Sequence, residues 1–163
     1  MSHPNLYGIK SVRLFADLTE DDHKELALIA DKQTFNAGSA VMREGDPGSA
    51  MFIIVSGTVR VLKRSPHSND NEEIAELGNG TYVGLNALIE RSTRSATVEA
   101  VEAVSVLRIE FDDLNELLDE DADFALRFWR CAAVGLSRQL RSANRSNSLL
   151  REMMHHRSAE AHD

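Results

Sequence analysis

Between residues 33 and 109 the apolar positions fall in short runs rich in β-branched and aromatic residues, each run closed by turn formers. Eight strands are predicted, at 33–35, 40–42, 51–55, 58–62, 74–77, 82–83, 96–100 and 104–109. The turns Asn36-Ala37-Gly38, Asp46-Pro47-Gly48, Ser56-Gly57 and Asn79-Gly80 each supply a residue tolerant of positive φ or a preset proline. Closely spaced strands with such turns predict an antiparallel roll or sandwich. The polar stretch 64–71, with Pro66, Ser68, Asn69 and Asp70, reads as a mobile hairpin loop on which no chemistry converges.

On either side of this region the period is helical. Thr19 and Asp22 have the spacing of a capping box, and Leu26, Leu28, Ile29 and Ala30 predict a helix over 20–30, its start docked by Leu14, Phe15 and Leu18. After Ile109 the apolar spacing switches to about 3.6 residues, giving a short helix over 112–118 and a long one over 122–154. On the long helix Trp129, Ala133, Leu136, Leu140, Ala143, Asn147, Leu150 and Met154 recur at steps of four and three, a heptad seam. Such a narrow stripe suits pairing with the same helix of a second copy, with Asn147 fixing a parallel register. The competing reading is a helix packed only on its own domain, with frayed last turns. Residues 155–163, including His155, His156 and His162, are expected to be a disordered tail.

Size and charge narrow the function. A chain of 163 residues with 42% hydrophobic content supports one core, here residues 1–121, with the long helix appended. The net charge is −8, but residues 1–125 hold 23 acidic and 11 basic side chains, whereas residues 126–157 hold seven arginines against the single acid Glu152. The simplest reading has these arginines facing solvent and pairing with the acidic body, since an arginine cluster alone is weak evidence for nucleic acid. About ten residues follow Met154, too few for a helix-turn-helix unit, so specific DNA binding is not expected. No apolar run reaches the length of a signal peptide or a membrane span, which predicts a cytoplasmic protein without membrane contact. Cys131 is the only cysteine and reads as a small buried hydrophobe. The six histidines do not cluster, and neither a nucleophile elbow nor a glycine-rich triphosphate loop is present. Neither enzyme activity nor a metal or other cofactor is expected.

The chemistry concentrates in residues 82–98. The strand Tyr82-Val83 leads into Gly84, a short helical turn, Leu85-Asn86-Ala87-Leu88-Ile89, and then Arg94-Ser95-Ala96-Thr97-Val98. Backbone amides at a helix start and a nearby guanidinium together hold a small anion, and a glycine lets the backbone come close. Val83, Gly84, Leu85, Asn86, Ala87, Arg94, Ser95 and Ala96 are the candidate ligand-binding residues.

These residues, preceded by Leu14-Phe15, Phe35-Asn36-Ala37-Gly38, Glu44-Gly45-Asp46-Pro47-Gly48 and Met51-Phe52-Ile53-Ile54-Val55-Ser56-Gly57, resemble the cyclic-nucleotide-binding domain family, which includes catabolite activator protein, kinase regulatory subunits and nucleotide-gated channels. The resemblance implies a mainly β fold, a double-stranded β-helix or jelly roll of about eight strands, with an N-terminal helix and a long C-terminal dimerisation helix. It also implies that cAMP or cGMP binds with Arg94 on the cyclic phosphate, Ser95 assisting, residues 84–87 around the sugar-phosphate and the purine facing the long helix. The arginine follows the glycine by ten residues, as in the family. Where the family has a ribose-binding glutamate this chain has Leu85, and where it has an aromatic residue, Val83. Two readings therefore stand: a sensor signalling through its C-terminal helix to a downstream protein, and a degenerate domain that has kept dimerisation and protein contacts or takes another phosphorylated ligand.

Overall fold

The computed structural model describes residues 3–160. Eight strands form two four-stranded antiparallel sheets, β1 (Ala30–Phe35), β8 (Val104–Glu110), β3 (Ala50–Ser56) and β6 (Tyr82–Val83) in one, and β2 (Ala40–Met42), β7 (Thr97–Ala100), β4 (Val59–Arg64) and β5 (Asn71–Leu77) in the other. All eight expected strands are present, several longer by one to three residues at an end. The hairpin loop between β4 and β5 is residues 65–70.

β3 explains why the roll has two cores. Its even positions Ala50, Phe52 and Ile54 turn toward the other sheet and meet Val59, Val98 and Val106, while Met51 and Ile53 turn outward under the helices with Leu107 and Ile109 of β8. Strand periodicity sends alternate side chains to opposite faces, so a strand buried on both faces is apolar throughout.

The helices roof the second face. α2 (Glu20–Ile29) begins on the expected capping box, with the Asp22 N–H donating to Thr19 Oγ1 at 3.1 Å and the Thr19 N–H to Asp22 Oδ2 at 3.0 Å. Leu14, Phe15 and Leu18 are buried beside it. α1 (Leu6–Ser11) and a 3-10 turn (Arg13–Phe15) are additions to the predicted elements; at six and three residues they are too short to carry a helical period. α3 (Asn86–Glu90) is the short cassette helix, and α4 (Phe111–Glu120) leads into α5 (Ala122–Glu160).

α5 is 39 residues long, and the expected end at Met154 with a disordered tail is corrected: residues 155–160 continue the helix, because nothing in Leu150 to Glu160 is a glycine or proline that would stop it. Residues 161–163, with His162, lie outside the described residues. Phe124, Phe128, Cys131 and Ala132 pack its first turns against Phe15 and the core. Of the seven arginines at 126–157, Arg127 alone pairs with the acidic body among the described residues, at Asp22. From Ser137 onward every helical residue up to Ala159 is exposed. No helix among the described residues is long and apolar enough to cross a membrane.

Candidate functional site

A cavity of about 780 Å³ opens between β4, β5, β7, the cassette and the middle of α5. Residues 83–87 and 94–96, the eight candidates, all line it.

Arg94 is placed by backbone pairing. Its N–H donates to the Asp46 carbonyl at 2.8 Å, its own carbonyl accepts from Gly45 at 2.9 Å, and Thr93 bridges to Pro47. The Asp46-Pro47-Gly48 turn therefore holds the arginine at the sheet edge. Its side chain runs inward over the Phe52 ring, with the guanidinium carbon 5.7 Å from the ring centre, and Nη1 donates to the Gly84 carbonyl at 3.2 Å. Gly84 has φ +87°, and a Cβ there would stand 2.7 Å from Nη1 and 3.0 Å from the Ala50 carbonyl oxygen. Glycine is required on both counts.

Arg94 is 7% exposed, yet it has no paired acid among the described residues. Burial, helped by Arg108 and opposed by Glu110, lowers its pKa, though a guanidinium stays protonated. Glu110 itself pairs with Arg108. A surface arginine satisfied by an acid, the ordinary alternative for such a residue, is thus not what stands here. A buried lone cation is costly unless something anionic completes it.

The sugar side of the cassette departs from simple expectation. Leu85, 2% exposed, belongs to the core under the helices with Phe15 and Phe128, and its carbonyl accepts from Leu88 and Ile89 to start α3. Asn86, one helical step on, is exposed at the cavity. Val83 and Ala96 are buried, and Ser95 is exposed with its carbonyl bonded to the Lys63 ammonium at 2.8 Å. Arg91 ends α3 at φ +50° and sits in solvent.

α5 closes the cavity with Gln139, Ser142, Ala143, Ser146, Asn147 and Leu150. Gln139 Nε2 donates to the Tyr82 hydroxyl at 3.3 Å. Burial pushes the Tyr82 pKa up, with Arg138 opposing. Of the seam residues, Ala143, Asn147 and Leu150 also face the cavity, Leu136 is half-buried, and Leu140 is 62% exposed. Trp129 lines a separate hollow behind α3. Sequence reasoning did not single out Phe52, Lys63, Gln139, Ser142 or Ser146, and named Tyr82 only as the strand entering the cassette. Only Phe52 left a signal, as the aromatic at an inward strand position.

Among the described residues no three His, Cys, Asp or Glu side chains gather where they could hold a metal ion.

Known proteins share this build. The family model for the cyclic nucleotide-binding domain matches residues 32–121. The cGMP-dependent protein kinase egl-4 of Caenorhabditis briggsae is 30% identical over 113 residues, 69% of this chain and 15% of the kinase. A cyclic nucleotide-gated potassium channel of Mesorhizobium japonicum is 33% identical over 124 residues, 76% of this chain and 33% of the channel. The chain therefore spans a minor part of either protein. The crystal structure of Thermus thermophilus catabolite activator protein is similar at a TM-score of 0.72 and 26% identity, covering 84% of this chain and 62% of that one. The family match takes in more than half the chain and contains β2 through β8 together with the cassette, so this protein belongs to the cyclic nucleotide-binding domain family.

Proposed function

We propose that the chain is a non-catalytic sensor that binds a cyclic nucleotide of the cAMP or cGMP type at Arg94 and passes the event to α5. The observation that carries this reading is the buried guanidinium of Arg94 at the wall of a cavity, with no acid paired to it among the described residues. A cyclic phosphate supplies the missing charge and accepts the two-pronged hydrogen bond that guanidinium offers. Membership of the family and relatives named for cGMP and for cyclic-nucleotide gating support the same class of ligand. Residues 83–87 and Ser95 and Ala96 then surround the sugar-phosphate, and Gln139, Ser142 and Ser146 of α5 meet the base. With α5 forming one wall, occupancy biases its position, which is how a binding event becomes a signal to a downstream protein.

The same helix serves as the dimerisation element through Trp129, Ala133, Leu136, Leu140, Ala143, Asn147, Leu150 and Met154. In the heptad that these residues define, Arg138, Arg141 and Arg145 fall on the side away from the seam, and the flanking positions from Gln139 to Ser146 are uncharged. Over that stretch two copies can pair in parallel without opposing arginines, while Arg130 and Arg151 fall at flanking positions of the same heptad.

Isothermal titration with cAMP and cGMP tests the binding function, with Arg94→Ala as control. Saturable heat that Arg94→Ala abolishes is the expected result. Absence of heat for both nucleotides up to millimolar concentration would remove this reading and leave the scaffold.

A further inference from the structure

The charge of the cavity is one-sided. Arg94 and Lys63 line it, and no aspartate or glutamate does so among the described residues. Arg94 spends one N–H on the Gly84 carbonyl and pairs with no acid among the described residues. Lys63, in β4, lies on the other side of Ser95: Arg94 precedes that residue in the chain, and the Lys63 ammonium donates to its carbonyl at 2.8 Å. The Glu44 carboxylate stands 3.9 Å from Lys63 through Oε1, beyond hydrogen-bond distance, and its Oε2 is taken by the Arg64 N–H at 2.9 Å. An ammonium has three donors, so Lys63 keeps two for another acceptor.

The remaining polar wall is neutral. Asn86 stands where the cassette helix opens on the cavity, because Leu85 before it has turned into the core. An amide both donates and accepts, and it does not repel a negative charge as a carboxylate at that place would. A ligand with a single negative charge satisfies Arg94 and leaves Lys63, half exposed, with only the long Glu44 ion pair at 3.9 Å.

Resting on the reading of Arg94 as the phosphate-binding residue, we propose that the cavity is built for a nucleotide bearing two negative charges, one held by Arg94 and the other by Lys63, with Asn86 as the neutral residue that tolerates the second. A terminal phosphate monoester and a pair of phosphodiester groups share this chemistry.

Calorimetric titration of the 163-residue chain at one fixed low ionic strength tests it with cAMP and cGMP, which carry one charge, with AMP and GMP, which carry two on a monoester, and with cyclic di-AMP and cyclic di-GMP, which carry one on each of two phosphodiesters. At least one doubly charged class is expected to bind roughly tenfold tighter than the cyclic mononucleotide of the same base, the scale of one charge-assisted hydrogen bond. Whichever class wins identifies the source of the second charge. Lys63→Met is expected to erase that margin, Lys63→Arg to keep it, and Asn86→Asp to shrink it. Cyclic mononucleotides that bind as tightly as the doubly charged probes, or a Lys63→Met variant that weakens both classes alike, would overturn the inference and leave the Arg94 reading standing. No heat with any of the six probes would overturn both.

Discussion

Arg127 reaches from the start of α5 to clasp both carboxylate oxygens of Asp22, Nε to Oδ2 at 2.7 Å and Nη2 to Oδ1 at 2.8 Å. The same carboxylate closes the capping box of α2, so one nearly buried acid both starts one helix and fastens another. The pair fixes where α5 leaves the domain, and hence how it crosses the cavity.

Its signature is in acid. Hydrogen bonding from Arg127, opposed by burial and aided by Thr19, holds the Asp22 carboxyl below its ordinary value. A carboxyl depressed in the folded state stabilises fully above its unfolded pKa, and that contribution is lost as pH falls through the folded value. Asp22→Asn is expected to lower stability at neutral pH and to flatten the decline that the wild type shows below about pH 4. Thermal unfolding followed across pH checks this, and parallel acid limbs for the two proteins would contradict it. Thr19→Ala, which loses the cap alone, is expected to cost about 1 kcal/mol, or roughly 2–4 °C for a chain of this size.

Arg94 predicts an unusual trade. Replacing a buried cation that lacks an acid by a long apolar side chain removes a desolvation cost. Arg94→Met is expected to leave the thermal midpoint of the ligand-free protein unchanged, or raise it by a few degrees, about 1 kcal/mol, while abolishing any midpoint increase produced by nucleotide. A fall of many degrees without ligand would make Arg94 a structural clamp between Gly84 and the Asp46 turn.

Gly135 reverses a general rule. In a helix interior glycine to alanine ordinarily stabilises by about 0.5–1 kcal/mol. In α5 a Cβ at this position would stand 2.8 Å from the Tyr82 hydroxyl oxygen and 2.9 Å from Leu14 Cδ1. Gly135→Ala is therefore expected to lower the midpoint and to weaken nucleotide binding by separating Gln139 from Tyr82. A higher midpoint with unchanged affinity would show that the contact relaxes freely.

Leu140 separates pairing from folding. Its side chain is mostly exposed in the single chain, so Leu140→Glu is expected to change the stability of the fold by no more than about 0.5 kcal/mol. Sedimentation equilibrium is expected to show the wild type near twice the 18.1 kDa chain mass and the variant near that mass. Equal masses for both would remove α5 as the dimer seam.

Much of this architecture was legible because local chemistry and global packing agree. The unbroken apolar run from Met51 to Val55, the Asp46-Pro47-Gly48 turn and the Thr19 to Asp22 spacing each specify a conformation that the roll then uses. Leu85 shows the limit. Its place in the sequence set it against the ribose, but burial against Phe15 and Phe128 depends on residues 70 and 43 positions away, one before and one after it. The position of Lys63 beside Ser95 is equally non-local, created by the register that lays β4 beside β7. α5 outran its predicted end because a tail was expected where no residue breaks the helix.

Ala143, Asn147 and Leu150 stand on the wall of the cavity and on the heptad seam at once. Where two copies pair along α5, filling the cavity and joining the copies draw on the same three side chains, and whatever free energy one event lends to the other is returned in equal measure. A dissociation constant for nucleotide would then depend on how much protein is in the tube, and a dilution series at fixed nucleotide would read the coupling between the two events directly.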